Sequence, residues 1–320
     1  MAISLGVHLG QQNIPMPELR ALWRKLDAHG VDWISLRDHL YEAPFEGGGE
    51  PHFEALAALG ALAAETTNAR IGCLVFYIGY RNPALLAKAA ITLDHISGGR
   101  FELGIGAGWH VWEAYAYGYP FPDIGTRLDM LDEAAEVIHR MFTQDRTTFS
   151  GRHFQVDDAS CLPKPAGRRL PIWIGGLGER RTLEIAARRA DGWNAAYVNP
   201  EEYRRLNSVL DHWCEVNKRD PSDIRRGANV AFALAMNDSG ARIERRRLLA
   251  LDSGQRLDDG ALTGTPDTAV EQVMRYVEAG AQDINVLLQP PWDEDALNAY
   301  LEDVIPAVHR ETGAAPRNVR

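Results

Sequence analysis

Along nearly the whole chain, short apolar segments that read as strands alternate with longer segments carrying an i, i+3, i+4, i+7 apolar stripe. The strand-like segments fall at residues 3–9, 32–37, 69–76, 100–106, 171–175, 191–196, 227–235 and 282–288. The helical patterns follow them at 16–28, 53–66, 84–96, 127–141, 179–189, 201–218, 267–278 and 295–310. Leu19, Leu22, Trp23 and Leu26 show the stripe in the first of these, and His29-Gly30 stops it. Strand–helix pairs repeated in this way, with no Ser/Pro linker between them, predict one closed (β/α)8 barrel, a TIM barrel, over residues 1–320. An open doubly wound sheet is the other architecture the pattern allows. Segments 147–149 and 153–156, around Ser150-Gly151-Arg152, read as a small hairpin, an insertion near residues 145–165.

Bulk properties narrow the function. A net charge of −10 with acidic and basic residues interspersed argues against a nucleic-acid or anionic-membrane surface and for a small-molecule substrate. No apolar stretch approaches the ~20 residues of a membrane span, and the chain opens directly on a strand, so a cytoplasmic protein is expected. Cys73, Cys161 and Cys214 are widely spaced and odd in number, which excludes a disulfide framework and predicts free thiols. The charged stretch 237–260 lacks a clear period, and Arg245, Arg246 and Arg247 read as the solvated face of a short helix.

In a barrel the site lies at the C-terminal strand ends. The fourth strand runs from Phe101, Leu103 and Ile105 into Gly104, Gly106, Ala107, Gly108 and Trp109. Side chains are missing at every second position, as where a ligand or another backbone comes close, or where a barrel packs tightly. The following stretch, 109–122, reads as an aromatic loop. His39, after the second strand, is the candidate for proton transfer, since an imidazole titrates nearest neutral pH, and Asp38 beside it is the second candidate catalytic residue. His8 points from the first strand and reads as pocket or core. No second histidine follows it closely, so no metal site is expected. Gly175, Gly176, Leu177 and Gly178 form a second glycine turn, expected to open directly into a helix whose free N–H groups suit a phosphate, helped by Arg180 or Arg181.

Specific strings then carry a resemblance. They are Gly72-Cys73-Leu74-Val75-Phe76, 80–88 (Tyr-Arg-Asn-Pro-Ala-Leu-Leu-Ala-Lys), 92–109, Cys161-Leu162-Pro163-Lys164-Pro165, 171–183 and Ala190-Asp191-Gly192-Trp193-Asn194. Together they resemble the bacterial luciferase-like monooxygenase superfamily, most clearly to about residue 200, and within it the branch that uses the deazaflavin coenzyme F420. The resemblance implies a (β/α)8 barrel, a homodimer and a flavin-like ring across the strand ends. It implies that His39 sits near the reactive carbon and that Cys73-Leu74, at a bulge in the third strand, is joined by a cis bond behind the ring. It further implies that Gly106, Ala107, Gly108 and Trp109 lie near the ring and that Gly175, Gly176, Leu177 and Gly178 hold the phosphate. Members that oxidise sugar phosphates or secondary alcohols carry Glu where this chain has Trp109 and an aromatic where it has Ala43. That argues against those substrates and leaves Glu113 as the replacement acid.

The expected function is hydride transfer between F420 and a small, largely apolar substrate. The expected pocket wall is Trp109, Trp112, Tyr115, Tyr117 and Tyr119, with His8 and Glu113 also in the substrate pocket. The alternatives are an FMN-dependent, oxygen-using monooxygenase served by a flavin reductase, and a ligand-binding member without catalysis.

Overall fold

In the computed structural model, which describes residues 3–42, 49–167, 169–251 and 257–313, each of the eight apolar segments forms a parallel strand. They are β1 (Ser4–Leu9), β2 (Trp33–Leu36), β3 (Arg70–Tyr77), β4 (Phe101–Gly106), β7 (Ile172–Gly175), β8 (Gly192–Ala196), β9 (Arg225–Leu234) and β11 (Asp283–Leu288). The hairpin β5 (Arg146–Ser150) and β6 (Gln155–Ser160) stands apart as an antiparallel pair, and β10 (Ala261–Gly264) adds to the side of β9. The pairing order β11-β1-β2-β3-β4-β7-β8 closes through β8 with β9 and β9 with β11, giving the eight-stranded parallel barrel. Ala43, in the segment 43–48, lies outside the described residues.

The helices are α1 (Met16–Ala28), α2 (Ala55–Glu65), α3 (Pro83–Ser97), α4 (Val111–Ala116), α5 (Ile124–Thr143), α6 (Thr182–Arg189), α7 (Pro200–Val216), α8 (Asp238–Leu251), α9 (Pro266–Glu278), α10 (Glu294–Ala299) and α11 (Ile305–Thr312). Local chemistry sets their ends. Asn82 Oδ1 accepts from Ala84 N before Pro83 starts α3, and Gly98 closes it at φ +69°.

Three elements depart from the expectation. The 109–122 stretch contains α4, where His110 caps the Glu113 N–H; six residues dominated by aromatics are too short to show a period. The helix expected in the 237–260 stretch is present as α8 but runs to 14 residues rather than a short turn or two, ordered by contacts such as Arg245 with Asp258 and Arg247 with Glu244 rather than by a strong stripe. The helix after β7 begins at Thr182, because 179–181 form a turn first.

The lower barrel interior is partly polar. Trp33 and Trp173 pack with ring centroids 4.8 Å apart, and the Arg70 guanidinium lies 4.9 Å from the centre of Trp33. Arg70 donates to Glu102 Oε1 at 2.9 Å, to Ser4 Oγ at 2.6 Å, and to Asp283. Glu102 Oε2 accepts from Trp173 Nε1 at 2.6 Å, and Asp283 Oδ2 from Arg225 Nε at 2.8 Å. Burial alone would lower the Arg70 pKa, but Glu102 and Asp283 raise it. Removing one partner of such a network strands the others without solvent. Arg70→Ala is therefore expected to cost about 3–5 kcal/mol of unfolding free energy in urea titration, and a loss below about 1 kcal/mol would show that the network carries little of the barrel's stability.

Candidate active site

The barrel mouth is shaped by an irregularity in β3. Cys73 pairs with Leu103 and Phe76 with Ile105, so Leu74 and Val75 together face the single residue Gly104. A Cβ on Gly104 would lie 2.1 Å from the Cys73 carbonyl oxygen, and one on Gly106 would lie 2.5 Å from Val75 Cγ2. The bulged backbone of β3 is thus what comes close to the glycine run. The cis bond joins Leu74 to Val75, one residue beyond the expected Cys73-Leu74 position. The bulge accounts for the correction: Cys73 is still paired in the ladder and fully buried, whereas Leu74 and Val75 are the two residues that reach the cavity.

That cavity has a volume of about 430 Å³ and reaches from the 175–178 turn, over Leu74 and Val75, to His8 and His39. His39 is held by a carboxylate the sequence placed only loosely. Its Nδ1 lies 2.9 Å from Glu113 Oε1, which also accepts from Tyr80 Oη at 2.9 Å, while Glu113 Oε2 accepts from Leu40 N at 2.8 Å. Burial disfavours charge on Glu113, yet its bonds to His39, Leu40 and Tyr80 hold its pKa below the ordinary 4.5. With Nδ1 engaged, Nε2 is the ring nitrogen of His39 left for a ligand.

Asp38 does something else. Its Oδ2 accepts from Tyr77 N at 3.0 Å and from Arg81 Nη1 at 2.8 Å, so it ties the end of β2 to the end of β3. Burial raises its pKa against the pull of Arg81. His8 is buried and its Nδ1 lies 2.8 Å from Ser35 Oγ; burial first, then Arg37 and His39, hold its pKa well below 6.5 and keep it neutral.

In the glycine turn, Gly176 adopts φ +135°, and its Cβ would sit 3.0 Å from Thr182 Cγ2. Its N–H donates to Asn194 O and its carbonyl accepts from Trp193 Nε1, which locks the turn. The N–H groups of Leu177 and Gly178 make no hydrogen bond among the described residues. Arg181 pairs with Asp129, whereas Arg180 is exposed in the groove beside the turn and outside the main cavity.

Of the expected aromatic wall, Trp109 lines the cavity, its ring edge-on to His39 at 5.4 Å, and Gly106, Ala107 and Gly108 lie beside it. Trp112 and Tyr115 do not: α4 turns Glu113 inward, which carries those two outward to 57% exposure each. Tyr117 donates to Leu40 O at 3.2 Å, and Tyr119 packs on Tyr80 at 4.9 Å. The wall is completed by Tyr77, Tyr80 and Phe121, and Arg37 and Asn229 also reach the cavity; of these the sequence pointed only to Tyr77, at the end of the third strand. Asp38, next to Arg37 in sequence, takes Arg81 as its ion-pair partner. Among the described residues no three His, Cys, Asp or Glu side chains converge as a metal site, and no helix is long and apolar enough to cross a membrane.

The profile of the luciferase-like monooxygenase family matches residues 2–253. The chain belongs to that family. Within the luciferase-like proteins it is similar to an F420-dependent glucose-6-phosphate dehydrogenase of Microbacterium testaceum (strain StLB037), with 28% identity over 309 residues, covering 88% of this chain and 90% of the relative. Its fold is similar to that of an F420-dependent secondary alcohol dehydrogenase in complex with an F420-acetone adduct, with TM-score 0.85 and 20% identity, covering 96% of this chain and 99% of the other. It is similar as well to a long-chain alkane monooxygenase, with TM-score 0.80 and 15% identity, covering 99% and 93%.

Since the folded-state pKa of Glu113 is depressed, its stabilisation is fully present above pH 4.5 and is lost as pH falls through the depressed value. Glu113→Gln is expected to lower stability by about 1–3 kcal/mol near neutral pH, with the gap to the wild type closing under acid in parallel denaturation series. A gap that widens below pH 4.5 would contradict the bonding pattern described for Glu113.

Proposed function

We propose that this chain is an oxidoreductase that moves a hydride between coenzyme F420 and a small, largely apolar organic substrate. The observation that carries the reading is the placement of His39 on the cavity that the Leu74–Val75 bulge also lines, with Glu113 holding Nδ1 and Nε2 left unbonded among the described residues. F420, when bound, supplies a ring carbon that carries hydride and reacts poorly with oxygen.

The residues present fit such a group. The unbonded N–H groups of Leu177 and Gly178 suit its phosphate, with Arg180 close enough to the turn to add charge. Leu74 and Val75 offer an apolar surface for one face of a planar ring, and Gly106, Ala107, Gly108 and Trp109 continue that surface along β4. Asn194 Oδ1 and Tyr77 Oη are buried at the cavity with no hydrogen-bond partner, as polar ring edges require. Cys73 stands behind the bulge and supports it.

His39 gives up or takes the substrate's proton at Nε2. Glu113 fixes its tautomer and stabilises the cationic form, and Asp38 holds the strand end from which His39 projects. Tyr77, Tyr80, Trp109 and Phe121 exclude water and favour an apolar or aromatic substrate body. The similarity to a relative named for F420, over 88% of this chain, adds support.

Two measurements test this. His39→Ala is expected to lose about 10²–10⁴ in anaerobic turnover with F420 while coenzyme affinity changes far less. Full F420 activity in that variant would remove His39 as the proton carrier, and oxygen-dependent turnover with FMN alone would favour a monooxygenase. Gly176→Val combines a left-handed φ with a clash on Thr182 and is expected to raise the F420 dissociation constant at least about tenfold; unchanged binding in a folded variant would take the turn out of the coenzyme site.

A further inference from the structure

The cavity contains a buried cation that the proposed chemistry does not use. Arg37 is 7% exposed and lines the cavity, yet it forms no ion pair with any described residue. Among the described residues its one side-chain hydrogen bond runs from Nη2 to Gln289 Oε1 at 3.0 Å, and Nε is buried without a partner there. The neighbouring carboxylate, Asp38, is taken by Arg81 and Tyr77. Room for the guanidinium is made deliberately: a Cβ on Gly10 would lie 2.5 Å from Nη2, while Gln11 brackets the Arg37 backbone, donating to its carbonyl and accepting from its N–H. A buried cation without a counter-charge disfavours folding unless a ligand supplies one.

We infer that Arg37 is a specificity residue that receives a carboxylate of the substrate. The identity of the anion follows from the surroundings. Arg37 is the one Arg or Lys among the described residues lining the cavity, so a single negative charge is balanced and a phosphate dianion is not. Its guanidinium sits between the ends of β1 and β11, and β1 is diametrically opposite β7 in the closed ring. The anion it binds is thus across the mouth from the turn assigned to the coenzyme phosphate. With His39 on the same cavity, the substrate is an organic acid whose apolar or aromatic body lies against Tyr77, Trp109 and Phe121. This rests on the F420 reading for what happens to that acid, but not for its binding.

The test uses benzoate, phenylacetate and 3-phenylpropionate against their primary amides, titrated calorimetrically into the full-length protein with and without F420. At least one acid is expected to bind the wild type about tenfold or more tightly than its amide, with the preference falling to within about twofold in Arg37→Gln and partly restored in Arg37→Lys. Unliganded Arg37→Gln is expected to melt at or above the wild-type temperature, since it removes an uncompensated buried charge. Equal binding of acids and amides, an acid preference that survives in Arg37→Gln, or a melting temperature that falls while the preference stays would each overturn the proposal. So would an Arg37→Gln variant that loses F420 affinity and keeps acid affinity, which would assign the charge to the coenzyme. A protein that ignores F420 but shows an Arg37-dependent acid preference would sink the coenzyme reading and leave this one standing.

Discussion

The additional residue in β3 brings Val75 to the cavity, and β4 and β7 can accept it only because Gly104, Gly106 and Gly175 carry no side chain. A methyl group at any of these positions would meet the Cys73 carbonyl or a Val75 methyl at under 3 Å. Glycine inside a strand is unfavourable on its own account, so its repetition is explained by the close approach it permits. The rest of the mouth is arranged around that contact. Leu74 and Val75 form an apolar floor, Gly108 brings its backbone against the Tyr77 ring, and the 175–178 turn continues the same surface toward α6.

Charge at this mouth is distributed with little redundancy. Asp38 is matched by Arg81, Glu113 is bonded by His39, Leu40 and Tyr80, and Arg37 has no acid of its own among the described residues. Each bond to an ionised group is worth about 1.5–3 kcal/mol, enough to keep Glu113 charged in spite of its burial. The consequence for chemistry is directional: Glu113 commits one nitrogen of His39, and the second nitrogen is presented to the cavity. His8, neutral and bonded to Ser35, adds shape and polarity without a competing charge.

The barrel was legible because strand and helix periods differ and recur eight times, and because the glycine turns after β4 and β7 mark backbone geometry directly. His39 was found by its type and its place after β2. What escaped was decided by contacts distant in sequence. Glu113 is separated from His39 by 74 residues, and its inward direction depends on α4, a helix too short to declare itself. Asp38 likewise takes a partner 43 residues away, because Arg81 reaches it from the loop after β3. The one-residue error at the cis bond has a similar source: a bulge is a relation between two strands, and the spacing in β3 alone does not locate it.

The claim that the bulge, the glycine turn and His39 form a deazaflavin site is tested most directly by calorimetric titration of the wild-type protein with F420 and, separately, with FMN. The account predicts one F420 bound per chain, at least about tenfold more tightly than FMN. An absence of F420 binding, or FMN binding as tight as or tighter than F420, would contradict it.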